Sequence, residues 1–208
     1  MIVFDNYAST YTLSGGKLLV EKQLRLKNVG NSPIIPGEIH FKISQEGSKD
    51  TVPEVSQYVA RNGDGNELDT QLIKTANDAS LVFTVWDPLL PGFFYDVTMS
   101  YEIDFRPKGV LFYSVNLPEE RTTIPIKKFE STVILPKRDH FTYAPDAEVS
   151  STEKGREATW SEQSAIDFEY SIIPLPKLGF KAVNLFWIVI MVVLVVQLFV
   201  KMRKLRRL

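Results

Sequence analysis

In the run NGDGNELD, Asn62, Asp64, Asn66 and Asp69 place side-chain oxygens at close spacing as a candidate ligand set. Oxygen ligands at alternate positions of a glycine-containing loop are how many proteins hold calcium. Here the glycine expected after the third ligand is Glu67, and position twelve, where a bidentate glutamate closes such loops, is Ile73. The match is partial, and glycine mixed with Asn and Asp also builds ordinary tight turns. A second set is acidic. Asp96, Glu102 and Asp104 fall at even spacing in FFYDVTMSYEIDF, so on a strand they share one face. Paired carboxylates can hydrolyse glycosides, but a row of outward acids also simply solvates a sheet. The two histidines, His40 and His140, have no neighbouring histidine or spaced carboxylate to complete a metal site. No phosphate loop, nucleophile elbow or paired-histidine zinc motif occurs. With no cysteine, thiolate zinc sites, disulfides and cysteine nucleophiles are excluded. These residues assign no catalytic group, no metal and no cofactor beyond the Asn62, Asp64, Asn66, Asp69 calcium candidate. They point to binding rather than to an enzyme.

The elements that would carry these residues are strands. Phe93, Tyr95, Val97, Met99, Tyr101, Ile103 and Phe105 alternate with Phe94, Asp96, Thr98, Ser100, Glu102 and Asp104. A period of two over that length predicts a half-buried strand over Phe93–Phe105, with Phe94 as an outward contact candidate. Gly15-Gly16 predicts a hairpin between Tyr11–Leu13 and Lys17–Lys27, although Lys22 interrupts the apolar face of the second arm. Further strands are expected at Glu38–Ser44 with His40 outward, at Ser80–Trp86, Val110–Asn116, Phe129–Leu135, Glu157–Trp160 and Ala165–Ile173. In the last, Ile166, Phe168, Tyr170 and Ile172 should point inward, and Asp167, Glu169 and Ser171 outward. Thr51–Ala60 and Thr70–Thr75 read as short strands or one short helix, and His140 falls in a loop. The prediction is an all-β, immunoglobulin-like antiparallel sandwich in two lobes, residues 1–107 and 108–176, with the border at the turn near Pro107. Ile173-Pro174-Leu175-Pro176 then forms a stiff exit into a linker, residues 177–181.

The chain's near-neutral charge, 24 basic against 25 acidic residues, argues against a nucleic-acid binder and hides an uneven distribution. Residues 182–200, AVNLFWIVIMVVLVVQLFV, carry no charge, and only Asn184 and Gln197 are polar. As a helix they would be about 28 Å long, close to the hydrocarbon thickness of a bilayer. The tail, residues 201–208, holds Lys201, Arg203, Lys204, Arg206 and Arg207, which leaves 24 − 5 = 19 bases against 25 acids before the span, a net −6. Basic residues favour the cytoplasmic side, so the acidic domain is expected outside the cytoplasm, in a lumen or the extracellular space. The opening residues MIVFDNYASTYTLSGG lack the basic and apolar regions of a signal peptide. The alternative is therefore a tail-anchored protein with a cytoplasmic domain. Asn184 and Gln197 are candidate contacts with partner helices in the membrane.

LRLKNVGNSPI (Leu24–Ile34) and DPLLPGFFYDVTMSY (Asp87–Tyr101), before a single span and a basic tail, carry a resemblance. The layout resembles the lumenal region of ribophorin I, a non-catalytic oligosaccharyltransferase subunit, and the translocon-associated protein beta subunit. An archaeal relative would fit the size and the missing cysteines. The resemblance implies no catalytic residues. It implies an accessory or scaffold protein whose ectodomain binds partners of a membrane complex handling protein translocation or glycosylation. A surface-displayed carbohydrate- or calcium-binding module is the alternative.

Overall fold

The computed structural model describes residues 1–43, 54–75, 79–117, 122–162 and 165–205, with all their side chains except those at 185–186, 199–200 and 203–205. Along the described chain the strands are β1 (Ile2–Ser14), β2 (Lys17–Asn28), β3 (Gly37–Ile43), β4 (Val55–Asn62), β5 (Thr70–Lys74), β6 (Ala79–Val85) and β7 (Phe94–Asp104). They continue as β8 (Lys108–Gly109), β9 (Phe112–Leu117), β10 (Phe129–Leu135), β11 (His140–Tyr143), β12 (Glu148–Ser151), β13 (Arg156–Ser161) and β14 (Ile166–Ser171), followed by the helix α1 (Ala182–Leu205). Strand β10 coincides with its expected span, and β2, β3, β6, β7, β13 and β14 lie within one or two residues of theirs. Three elements differ for physical reasons. Strand β1 begins at Ile2 rather than Tyr11, because a bulge between Phe4 and Asn6 shifts the alternation and hides it. Strands β11 and β12 were not expected. Each is four residues long, and β12 is exposed throughout, so neither has an alternating pattern; His140 consequently opens a strand instead of sitting in a loop.

A seven-stranded sheet, in the order β12-β13-β10-β1-β2-β7-β4, forms one layer. Two smaller sheets, β3-β6-β5 and β11-β14-β9-β8, supply strands for the other. Phe41 and Phe83 of the three-stranded sheet stack on one another, and Phe41 packs on Phe4 and Tyr7 of the long sheet. Phe168 of the four-stranded sheet meets Trp160 of β13, whose indole N–H donates to the Pro145 carbonyl. One continuous apolar core unites both halves. The pairing is not antiparallel throughout: β1 and β10 run parallel, Tyr7 beside Phe129 through Thr12 beside Ile134. That pair carries the long sheet across the turn near Pro107, so residues on both sides of the expected border share one layer.

Strands β2 and β7 set the length of the molecule. They pair from Lys17 opposite Asp104 to Lys27 opposite Phe94, so at about 3.4 Å per residue they separate the two ends of the domain by some 35–40 Å. Gly15 and Gly16, both at positive φ, close the β1–β2 hairpin at one end in the two-residue turn that their sequence predicted. Among the described residues taken alone, no helix is long and apolar enough to cross a membrane; α1 itself has 24 residues.

Candidate functional site

At the end of β2 away from the glycine turn, two loops are zipped together by Asn28. Its wholly buried side chain donates Nδ2–H to the carbonyls of Ser32 and Leu89, both at 2.8 Å, and accepts from the Gly30 amide at 2.9 Å. Ile34 and Leu89 exchange backbone hydrogen bonds, and the Gly92 amide donates to the Asn28 carbonyl. The buried amide thereby replaces the ladder that both loops lose on leaving the sheet. What these tied loops expose is apolar: Val29, Ile35, Trp86, Leu90, Phe93 and Phe94, with Trp86 at 70% and Phe93 at 62% of full exposure. Lys27 Nζ lies 4.6 Å from the Phe94 ring centroid and gives the cluster a cationic edge. Tyr95 is rooted below it, its hydroxyl donating to Asp87 Oδ2 at 3.3 Å; burial, then the Asp87 charge, raise its pKa. Six large apolar side chains at one end of a small domain, aromatic residues among them, have the composition of a protein-contact surface.

The opposite end carries the helix, and its joint is built around Glu169. This carboxylate is wholly buried. Oε1 accepts from the Thr142 hydroxyl and from the Ala182 amide, both at 2.7 Å, and Oε2 accepts from the Val183 amide at 3.2 Å. The first two amides of α1, which have no partner inside the helix, are thus capped by an anion on β14 where the helix dipole favours negative charge. Lys181 anchors the preceding residue: Nζ donates to Asp167 Oδ1 at 2.8 Å and Ser114 Oγ at 3.0 Å. The expected stiff exit at residues 173–176 does not lead straight away from the domain. The chain doubles back along the four-stranded sheet, with Lys177 Nζ donating to the Ala147 carbonyl and the Leu178 amide to the Thr142 carbonyl. This cover buries Glu169 and Ser171 at the outward positions where they were expected to meet solvent. From Glu169 the helix descends past Phe112, so it leaves at the Gly15–Gly16 end, the far end from the apolar crown.

Of the residues singled out by spacing, the acids on β7 are occupied locally. Asp96 binds Arg25 through two contacts, 2.7 and 3.1 Å, and Glu102 binds Lys17 at 2.8 Å. These hydrogen bonds, more than the charges themselves, raise the pKa of Arg25 and Lys17. Asp96 and Glu102 are about 20 Å apart along the strand, well beyond the separation at which two carboxyl groups share a glycosidic bond. In the 62–69 loop, Asn62 Oδ1 accepts from the Asp64 and Asn66 amides, at 3.1 and 2.9 Å, and Arg61 pairs with Glu67. Asp69 is exposed and its carbonyl accepts from the Thr84 amide. Among the described residues no group of three or more His, Cys, Asp or Glu is placed to hold a metal. His40 is exposed, 3.5 Å from Glu38. Asn184 and Gln197 are both exposed on α1, as is Lys201. Thirteen residues apart, the two amides lie about 140° apart around the helix, so each faces a different direction. Arg203 and Lys204 lie within the helix, whereas Arg206 and Arg207 fall outside the described residues.

Spacing did not reveal Asn28, Glu169 or Trp86. Nor did it place Phe93 correctly: expected inward, it precedes β7 and is turned out by the left-handed Gly92.

Uncharacterized protein MJ1395 of Methanocaldococcus jannaschii is 30% identical to this chain over 117 residues, 56% of this chain and 82% of that protein. The chain belongs to its family. No family model matches. Among solved structures, a protein of Legionella pneumophila described as nutrient-binding superposes with a TM-score of 0.60 over 82% of this chain and 67% of its own, at 9% identity. An M1 zinc metallopeptidase of Deinococcus radiodurans gives 0.50 at 14% identity, and the chain spans only 42% of its length. Likeness at these identities shows the sandwich fold alone.

Proposed function

We propose that the family member described here is a non-enzymatic accessory or scaffold protein, anchored by one membrane-spanning helix, whose sandwich presents the apolar crown to a protein partner in a membrane complex. Translocation and glycosylation machinery are the kinds of complex that the sequence resemblance suggests. The observation that carries this reading is the Glu169 joint, which fixes an exposed apolar helix to a domain whose other end bears exposed aromatic residues. From Trp187 to Leu198 the described side chains of α1 are apolar on every side apart from Gln197, and almost all are exposed. A helix apolar all round has no face for water and requires lipid or other helices around it. In sequence the uncharged run continues from 182 to 200 and ends at the basic tail, which favours a cytoplasmic C terminus and an extracytoplasmic sandwich. The calcium-binding alternative lacks comparable support, since the Asn62 oxygen serves its own loop.

Co-purification of the full chain from membranes in mild detergent tests the reading. The wild type should retain a membrane-protein partner, and Trp86→Ser combined with Phe93→Ser should lose it while unfolding at the same temperature. A doubly substituted chain that keeps the same partner would remove the crown from the account. Loss of a partner on Asn184→Leu or Gln197→Leu would place part of the contact within the membrane.

A further inference from the structure

The turn between β8 and β9 breaks the usual chemistry of a tight hairpin. Lys108 and Gly109 pair with Ser114 and Tyr113, leaving Val110, Leu111 and Phe112 between the paired positions, with Val110 and Leu111 at the tip. Tight hairpin tips are rich in Gly, Asn and Asp, which tolerate the required backbone and meet water. Here Val110 is 83% exposed and Leu111 is also exposed. The hairpin is tight: Gly109 sits at φ 146°, where a Cβ would run into the Phe112 carbonyl. Ser171 Oγ ties the tip to β14 by donating to the Leu111 carbonyl at 2.7 Å, next to exposed Ile172 and Ile173. An almost wholly apolar cleft of about 360 Å³ separates the tip from the helix, lined by Gly109–Phe112, Val183 and Trp187.

We infer that the Val110–Leu111 tip is seated in the headgroup–acyl boundary of the bilayer beside α1, so that the base of the domain is embedded rather than standing clear of the membrane. This rests on the proposal that α1 is the anchor. Ala182 is buried against the domain and the first turn runs beside the tip, so the helix is clear of the domain only from about Trp187. From there to Val200 the uncharged run is about 21 Å long, against a hydrocarbon core of about 30 Å. Lowering the domain brings the first turn of α1 into the bilayer and lets the run match its thickness. The surface that must then enter lipid, the tip with exposed Ile172 and Ile173, is already apolar, and Trp187 sits at its edge in the manner of an interfacial ring.

The absence of cysteine allows a direct test. The full chain carrying a single cysteine, Val110→Cys, Leu194→Cys or Phe93→Cys, is labelled with an environment-sensitive fluorophore and reconstituted in phosphatidylcholine vesicles. The label at 110 should emit to the blue of the label at 93, be quenched by nitroxide-bearing lipid and be shielded from iodide. The label at 194 should be quenched by lipid and that at 93 by iodide. If 110 behaves like 93 while 194 is quenched by lipid, the embedded tip is overturned and the anchor stands. If iodide reaches 194 as well, the anchor fails and the embedded tip fails with it.

Discussion

Replacing Glu169 with alanine removes, in one step, the acceptor of three hydrogen bonds: from Thr142, Ala182 and Val183. Loss of a helix cap costs about 1–2 kcal/mol. Leaving the buried Thr142 hydroxyl without its acceptor costs about 1–3 kcal/mol more. A total near 3 kcal/mol should lower the unfolding temperature of a domain of this size by about 6–12 °C. The same loss should free the helix from the domain, which a stability measurement alone would not distinguish from simple weakening. Spin labels on single-cysteine pairs, one on β2 at Gln23 and one on α1 at Leu194, address this by pulsed dipolar spectroscopy. The wild type should give one narrow distance distribution in bilayer discs and Glu169→Ala a broad one. Glu169→Gln should fall between them, because one of its two acceptor positions becomes an N–H facing a helix amide. A shift of less than about 1 °C together with an unchanged narrow distribution would refute the joint as the element that sets the helix direction.

Further outcomes follow from other sites. Asp139 is buried, one carboxylate oxygen has no hydrogen-bond partner, and burial is the main cause of its raised pKa. With the folded value above the unfolded one, its contribution to stability is fullest below the unfolded pKa, near 3.9, and is lost as pH rises through the folded value. Asp139→Asn should therefore raise the melting temperature at pH 7 and lose that advantage below about pH 4; an equal effect at both pH values would contradict this. Calcium at millimolar concentration should leave the melting temperature unchanged, because Asn62 Oδ1 is committed to two amides of its own loop. A calcium-dependent rise abolished by Asp64→Ala would overturn that geometry.

Alternation made the sheet faces legible wherever a strand is long and its outer face meets water, as in β7, where Val97, Met99, Tyr101 and Ile103 are buried and Asp96 and Asp104 are exposed. It failed where something else covers the outer face. Glu169 and Ser171 stand at outward positions of β14 and are buried because the chain folds back over them on its way to α1. Lys22, an apparent interruption on β2, is in fact inward: its stem follows the core, and Nζ donates to the Tyr7 hydroxyl and lies within about 6 Å of the Tyr7, Phe41 and Tyr101 ring centroids. The apolar crown was legible only at Phe94. Its other members lie in loops that turn residues mark as loops without saying that Asn28 will tie them together. Composition located the helix, but the contact that orients it joins residues 169 and 182, and no periodicity reports a contact of that kind.

The height of the crown above the bilayer depends on the anchor, the joint and the long strands together. A donor dye on Phe93→Cys of the full chain, in vesicles bearing acceptor lipids, should report one distance of about 35–40 Å from the headgroup plane, set by the rise of β2 and β7. That value should be unchanged by salt. A broad distribution extending down to the membrane surface would contradict a fixed presentation, and a chain that does not remain with the vesicles would contradict the anchor itself.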